Sequence, residues 1–350
     1  MRTVRRLDIP CGQTYLFALD DGALLEGGDV FMARERRYGE RPYRFADFDR
    51  PSDFAKRVFT VCTMAGCPVG CRFCASSRSF KRLLTGDEIA GQVLKMAEEG
   101  AQLGREPDLN RTEELRVLYT RMGEPMLNVD HVADSIAQLA ARFPHVIIGM
   151  STSGIKKGLD RFLSAYGDLI PYLDMQFSLH STEDEERAWL FRSDPGVTML
   201  SIPEIAEYVE RWSEHTTKRT SLNVILFEDF TYDFKSLLQW FDRDKIWLRL
   251  SPWNRVEGRE EHGLDGLLRT TDVSEKSPIS SAKLARIIAE IEEAGFTYAY
   301  APAIDEEIKY AVACGQALEA FQRDLVAERR GQRTHLRLRS DGRPALELVR

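Results

Sequence analysis

Gly66-Cys67-Pro68-Val69-Gly70-Cys71-Arg72-Phe73-Cys74 follows directly on the β-rich run 57–63, and this junction decides how the chain is read. Three thiolates spaced C-x3-C-x2-C can each hold one iron of a [4Fe–4S] cube, and the missing fourth cysteine leaves one iron open to a small molecule. Zinc is the rival ligand. Structural zinc sites normally close with four ligands, and after Cys74 neither Cys nor His recurs before His131. The ligand count therefore favours the cluster, with three packed core cysteines as the remaining alternative.

Working outward, short β-rich runs at 57–63, 115–120, 146–151, 173–179, 219–227, 246–251 and 297–301 alternate with amphipathic stretches. One such stretch opens with the capping box Thr85-Gly86-Asp87-Glu88 and carries Ile89, Val93 and Met96 on one face. Another carries Leu284, Ile287, Ile288 and Ile291 and stops near Gly295. Strands joined by helical crossovers run parallel, so the pattern predicts an α/β chain, a partial (β/α)6-type barrel. Function in such a barrel gathers on the loops after the strands' C-terminal ends. Candidate polar residues fall there: the cysteine loop, Gly123-Glu124-Pro125, Ser151-Thr152-Ser153-Gly154, Ser178-Leu179-His180 and Pro252-Trp253-Asn254.

Residues 1–50 read differently. Tyr15 to Leu19, the Asp21-Gly22 turn signal and Leu24-Leu25-Glu26 predict a small β-hairpin element covering the barrel edge. Residues 51–320 form the expected core, with a polar stretch at 255–280 as a possible lid. Residues 321–350 form a basic tail carrying Arg329, Arg330, Arg333, Arg337, Arg339 and Arg343. A solvated face is the ordinary reading of such a tail, and a nucleic-acid contact the alternative.

Composition narrows the classes. The 350 residues are 43% hydrophobic and carry a net charge of -7, which suits a folded enzyme better than a surface built only to hold polyanions. No apolar run reaches the length of a membrane span, and the start Met1-Arg2-Thr3-Val4-Arg5-Arg6 lacks a signal peptide's apolar core. The expectation is a cytoplasmic protein without a membrane partner. Six cysteines with three committed to a cluster do not read as a disulfide framework.

Taken in order, these pieces resemble the RlmN/Cfr family of radical S-adenosylmethionine (SAM) methyltransferases, which methylate adenine carbons in RNA. The resemblance rests on the cysteine run, Met122-Gly123-Glu124-Pro125, Ser151-Thr152-Ser153-Gly154, Ser178-Leu179-His180, Pro252-Trp253-Asn254 and Ala313-Cys314-Gly315-Gln316. It implies a [4Fe–4S] cluster on Cys67, Cys71 and Cys74, with SAM cleaved at the open iron by an electron from a donor such as flavodoxin or ferredoxin. It further implies that Gly123 and Glu124 hold the amino group of SAM and that Ser151, Ser178, Leu179, His180 and Asn254 bracket the rest. Each of these polar groups, taken singly, also reads as a strand-end residue satisfying backbone groups.

Cys314 matches the family's methyl-accepting cysteine. An adenine carbon between two nitrogens is no nucleophile, whereas a thiolate takes a methyl group from SAM readily. The resulting S-methyl carbon, once stripped of a hydrogen, adds to the ring, and the link must then be resolved. By the resemblance Glu26 is the base for that step and a second cysteine the partner of a transient disulfide. Here the chain departs from the pattern, since the family's cysteine lies seven residues before Cys67, where Thr60 stands. Cys62, two residues on, shares a strand face with that position, so it reads either as the resolving thiol or as a packed strand residue.

Two departures bear on the substrate: the short stretch before Cys67 leaves no room for the family's helical RNA-gripping domain, and Tyr300-Ala301-Pro302-Ala303 lacks basic residues. RNA and a small heteroaromatic molecule both remain as carriers of the methylated carbon. The competing readings are a radical SAM enzyme of the same fold that abstracts hydrogen for another reaction, and a non-catalytic Fe–S or nucleic-acid-binding module.

Overall fold

Alternating β-rich and amphipathic stretches build one ten-stranded sheet. The structure, a computed structural model, describes residues 1–9, 12–32, 56–74, 76, 80–102, 114–191, 197–253, 279–301, 337–338 and 344–345. Strands β1 (Arg2–Ile9), β2 (Gly12–Ala18) and β3 (Leu24–Met32) form an antiparallel meander, and β3 pairs antiparallel with β4 (Lys56–Val61). The expected hairpin at residues 15–26 is β2 and β3. A further strand, β1, precedes it, and the element continues the central sheet.

After β4 come a small hairpin, β5 (Met64–Gly66) with β6 (Phe80–Leu83), and helix α1 (Gly86–Gln102). The Thr85 hydroxyl accepts the Glu88 N–H at 3.2 Å while the Glu88 carboxylate accepts the Thr85 N–H at 3.0 Å, closing the capping box. Strand β7 (Leu115–Tyr119), helix α2 (Val129–Arg142), strand β8 (Ile147–Thr152), helix α3 (Lys156–Ala165) and strand β9 (Leu173–Ser178) follow. Helices α4 (Asp184–Leu190) and α5 (Ile202–Ser213) lead to β10 (Thr220–Leu226). A short 3-10 turn at Lys235–Gln239, not an α-helix, joins β10 to β11 (Ile246–Pro252). Helix α6 (Ser281–Glu293) returns the chain to β12 (Tyr298–Tyr300), and two-residue strands β13 (Arg337–Leu338) and β14 (Pro344–Ala345) pair apart.

Every pairing from β4 through β7, β8, β9, β10 and β11 to β12 is parallel. The expected partial α/β barrel is therefore present as an open sheet with β1 and β12 at its edges, and among the described residues no pairing closes it. Parallel order puts the C-terminal ends of β4, β7, β8, β9, β10 and β11 on one rim.

The β3–β4 junction carries a buried ion pair. Arg57 donates from Nε and Nη2 to both carboxylate oxygens of Asp29, at 2.8 and 2.6 Å, and its guanidinium lies over the Phe59 ring. Both side chains are excluded from water. Such a fork fixes register, because a slipped strand would strand two charges in the core. Among the described residues no helix is long and apolar enough to cross a membrane.

Candidate functional site

The rim begins where β4 ends. The cysteine loop is docked by its two middle residues. Arg72 donates from Nε to the Trp189 carbonyl at 2.7 Å and lies 4.5 Å from the centre of the Trp189 ring, while its N–H reaches the Leu190 carbonyl. Phe73 sets its ring edge-on to His180, with centroids 4.7 Å apart, and packs against Phe191. Beneath the loop a satellite core gathers Cys67, Val69, Leu190, Phe191, Phe227, Phe230 and Trp253.

The three cysteines lie close together, Cys67 buried and Cys71 and Cys74 half-buried. Burial first, then the neighbouring Cys74, pushes the Cys67 thiol up to about 12, and burial with Cys74 and Cys67 drives Cys71 well above its ordinary range. The Glu124 carboxylate raises both further. Thiols in such a setting ionise only against a cationic centre, which is the chemistry of a metal-ligand set. Among the described residues no three His, Cys, Asp or Glu side chains converge as ligands of one ion. Cube ligands need not converge, because each holds a different iron.

Glu124 follows β7 and caps the turn Pro125–Leu127. Its Oε1 accepts from the Met126 N–H at 3.0 Å and the Thr152 hydroxyl at 2.7 Å, and its Oε2 from the Ser153 N–H at 2.8 Å and hydroxyl at 2.7 Å. Burial pushes the carboxyl up, and these hydrogen bonds pull it back. Gly123 beside it has φ +112, and a Cβ there would lie 2.4 Å from the Thr63 hydroxyl. That position accepts only glycine.

The remaining rim residues divide. Ser151 accepts from Gln176 Nε2 at 2.9 Å, and Ser178 is half-buried with its carbonyl taking a hydrogen bond from Arg187. Leu179 points its side chain into the main core. His180, at φ +63, is 2% exposed, and its Nδ1 accepts the Ile225 N–H at 3.2 Å. Burial, then the nearby Arg187 charge, pushes its imidazole down to about 3. As folded, His180 is a neutral brace between the cysteine loop and β10. Asn254 and Cys314 lie outside the described residues.

Behind the rim sits a second buried group. Glu26 on β3 is wholly buried and accepts from Arg121 Nη1 at 3.4 Å. Arg121 Nε donates to Thr60 Oγ1 at 2.8 Å. The Cys62 thiol donates to the Glu26 backbone carbonyl at 3.0 Å, while Gln92 of α1 clasps the Cys62 backbone, accepting its N–H and donating to its carbonyl, each at 2.9 Å. Burial, then Glu26, pushes that thiol up to about 12. Thr60 and Glu26 are thus neighbours through Arg121, and Cys62 reaches Glu26 through its backbone. Sequence reasoning singled out neither Arg121, next to the Met122-Gly123-Glu124 motif, nor Arg187, whose Nη1 donates to the Ser178 and Leu179 carbonyls at 2.9 and 2.6 Å.

No family model matches the chain. Over 257 residues it is 33% identical to a probable dual-specificity RNA methyltransferase RlmN of Heliobacterium modesticaldum, covering 70% of this chain and 59% of that protein. A dual-specificity RNA methyltransferase RlmN of Sulfurimonas denitrificans is 29% identical over 227 residues, covering 63% of this chain and 58% of the other. The chain is a sequence relative of the RlmN methyltransferases. It spans between 57% and 59% of the length of the first such relatives. A crystal structure of a radical SAM methyltransferase from Sphaerobacter thermophilus shares the fold, with a TM-score of 0.64 at 21% identity over 90% of this chain and 80% of that one.

Proposed function

We propose that this chain is a radical SAM C-methyltransferase that acts on an adenine-like sp2 carbon of RNA through an S-methylcysteine at Cys314. One observation carries the reading: three cysteines share one loop, and Cys67 and Cys71, whose thiols resist ionising, stand within electrostatic reach of Glu124, next to a glycine whose backbone admits no side chain. This is the donor set a [4Fe–4S] cluster needs, with a carboxylate at hand for the amino group of SAM. The names of the relatives support methyl transfer to RNA. When bound, the cluster supplies an electron, and SAM supplies the methyl group and the hydrogen-abstracting radical.

The chain's own residues do the rest. Cys67, Cys71 and Cys74 ligate the cluster, while Gly123 and Glu124 orient SAM through its amino group. Ser151, Ser178, Asn254 and the backbone at Leu179 and His180 bracket the remainder. The Cys314 sulfur attacks the methyl carbon of SAM, S-adenosylhomocysteine leaves, and the thiol proton is released. Once that carbon is joined to the base, Glu26 takes the ring-carbon proton, and the adduct's odd electron returns to the cluster that Cys67, Cys71 and Cys74 would hold, so that the ring regains its aromaticity. Cys62 then gives up its own proton and attacks the Cys314 sulfur, so that a Cys62–Cys314 disulfide forms as the carbon–sulfur bond breaks; the bond pair stays on the released carbon, which takes a proton to become the methyl group. A flavodoxin or ferredoxin is the donor class suited to reducing the cluster.

The test is anaerobic reconstitution followed by incubation with SAM and reductant, read by mass spectrometry for 5′-deoxyadenosine and for a methyl group on Cys314. Cys314→Ala is expected to keep SAM cleavage and transfer no methyl group. Wild-type methylation by that variant would remove the methylcysteine route.

A further inference from the structure

Arg121 lies between the two halves of this machinery. Its backbone N–H is held by the Val61 carbonyl at 3.1 Å, three residues before Glu124 on the rim. Its side chain runs back to Glu26 and Thr60. Passage depends on Gly28, where a Cβ would lie 2.8 Å from both Arg121 Nη2 and Thr60 Oγ1. At Gly27 a Cβ would meet Phe17 and Met96, the latter on α1, so the flanking Glu26 and Gly28 turn to the face away from that helix. Thr60, where the family has cysteine, has its hydroxyl engaged by Arg121 and cannot supply a thiol.

A purely structural ion pair is the ordinary alternative. Strand β3 already carries one, the two-pronged Asp29–Arg57 pair to β4, which fixes the register of those strands. Among the described residues the Arg121 fork is instead split between the Thr60 hydroxyl and the Glu26 carboxylate, an arrangement that sets direction more than cohesion. A wholly buried carboxylate also needs a countercharge within reach, since leaving one unpaired is costly.

We propose that Arg121 is a positioning residue, held by Thr60 in a slot opened by Gly28, which orients Glu26 as the base that resolves the protein–substrate link. The inference rests on the methyl-transfer reading above. It separates two stages of the reaction: SAM cleavage and methylation of Cys314 do not use Glu26, whereas release of methylated substrate does.

The experiment uses the anaerobically reconstituted full chain as wild type, Arg121→Ala, Arg121→Lys and Glu26→Gln. Each is incubated with SAM, dithionite and unfractionated bacterial ribosomal and transfer RNA. Four quantities are read: 5′-deoxyadenosine, the Cys314 methyl group, methyl label released in RNA, and RNA that stays bound to protein on a denaturing gel. Arg121→Ala is expected to keep the first two within about twofold while released methylated RNA falls at least about tenfold, the scale of a displaced base. Protein-bound RNA should accumulate as it does in Glu26→Gln, and Arg121→Lys should recover most of the release. Release at the wild-type rate by Arg121→Ala overturns the inference. So does a joint fall of all the readouts in both Arg121 variants, which is what a merely structural role produces. A wild type that cleaves no SAM and labels no RNA removes the functional reading itself.

Discussion

Acid should loosen the cysteine loop through one buried histidine. His180 is 2% exposed, uses Nδ1 to accept the Ile225 N–H, and bears the edge of Phe73 on its ring. Its imidazole is pushed down to about 3, by burial and then by Arg187, against an ordinary value of 6.5. In this window the unfolded chain binds the proton more readily than the folded one. His180 therefore contributes stability that is present above the unfolded value and is lost as pH falls toward the folded value. Integrating that difference, protonation of this one group costs about 2 kcal/mol between pH 7 and pH 5. Urea unfolding of the cluster-loaded protein at pH 8, 7, 6 and 5 measures the slope, and visible absorbance follows the cluster. His180→Asn is the control, because Asn tolerates positive φ and carries no proton in this range. Its stability should fall less steeply below pH 6.5, by about 1.4 kcal/mol per pH unit, the weight of one proton. Equal slopes in the two proteins would refute the buried, neutral histidine as the acid-sensitive brace.

Replacing Cys67, Cys71 or Cys74 by Ala should each abolish the iron content of anaerobically prepared protein, checked by iron and sulfide analysis; stoichiometric zinc in the wild type would contradict the cluster. Gly123→Ala should cost about 2–5 kcal/mol, the sum of a left-handed backbone penalty and an overpacking term against Thr63 and Met64. Equilibrium dialysis with labelled SAM should show weaker binding by the same variant. Arg57→Leu should destabilise by about 3–5 kcal/mol in urea, because it leaves Asp29 buried without its partner. The double variant Arg57→Leu with Asp29→Leu should recover much of that loss.

How much of this was legible in the sequence depends on the range of the interaction involved. The parallel strands and α1 and α6 could be read because their signals repeat within a few residues: β-rich runs, the Thr85–Glu88 box, and Leu284, Ile287, Ile288 and Ile291 on one face. Strand β1 was missed because arginines interrupt its apolar residues, the composition expected of an edge strand protected from further pairing. The rim motifs were found as motifs, yet sequence alone could not separate ligand from brace. Ser153 and Thr152 proved to hold Glu124, and His180 to support Phe73, by contacts that depend on strands meeting side by side.

The Arg121 network lies beyond any local signal. Arg121 and Glu26 are 95 positions apart in the chain and meet only because β3 and β7 flank β4. An arginine beside a glycine-rich motif reads as a solvated charge until the fold buries it to 8% exposure. What a sequence does give for such a pair is indirect. Gly27-Gly28 in the middle of a strand is unfavourable for pairing and has no local turn to justify it. The close approach that Gly28 permits belongs to a side chain from elsewhere in the fold. A glycine that weakens a strand beside a buried carboxylate is therefore a reason to look for a cation arriving through the gap, and Arg121 is the residue that fills it.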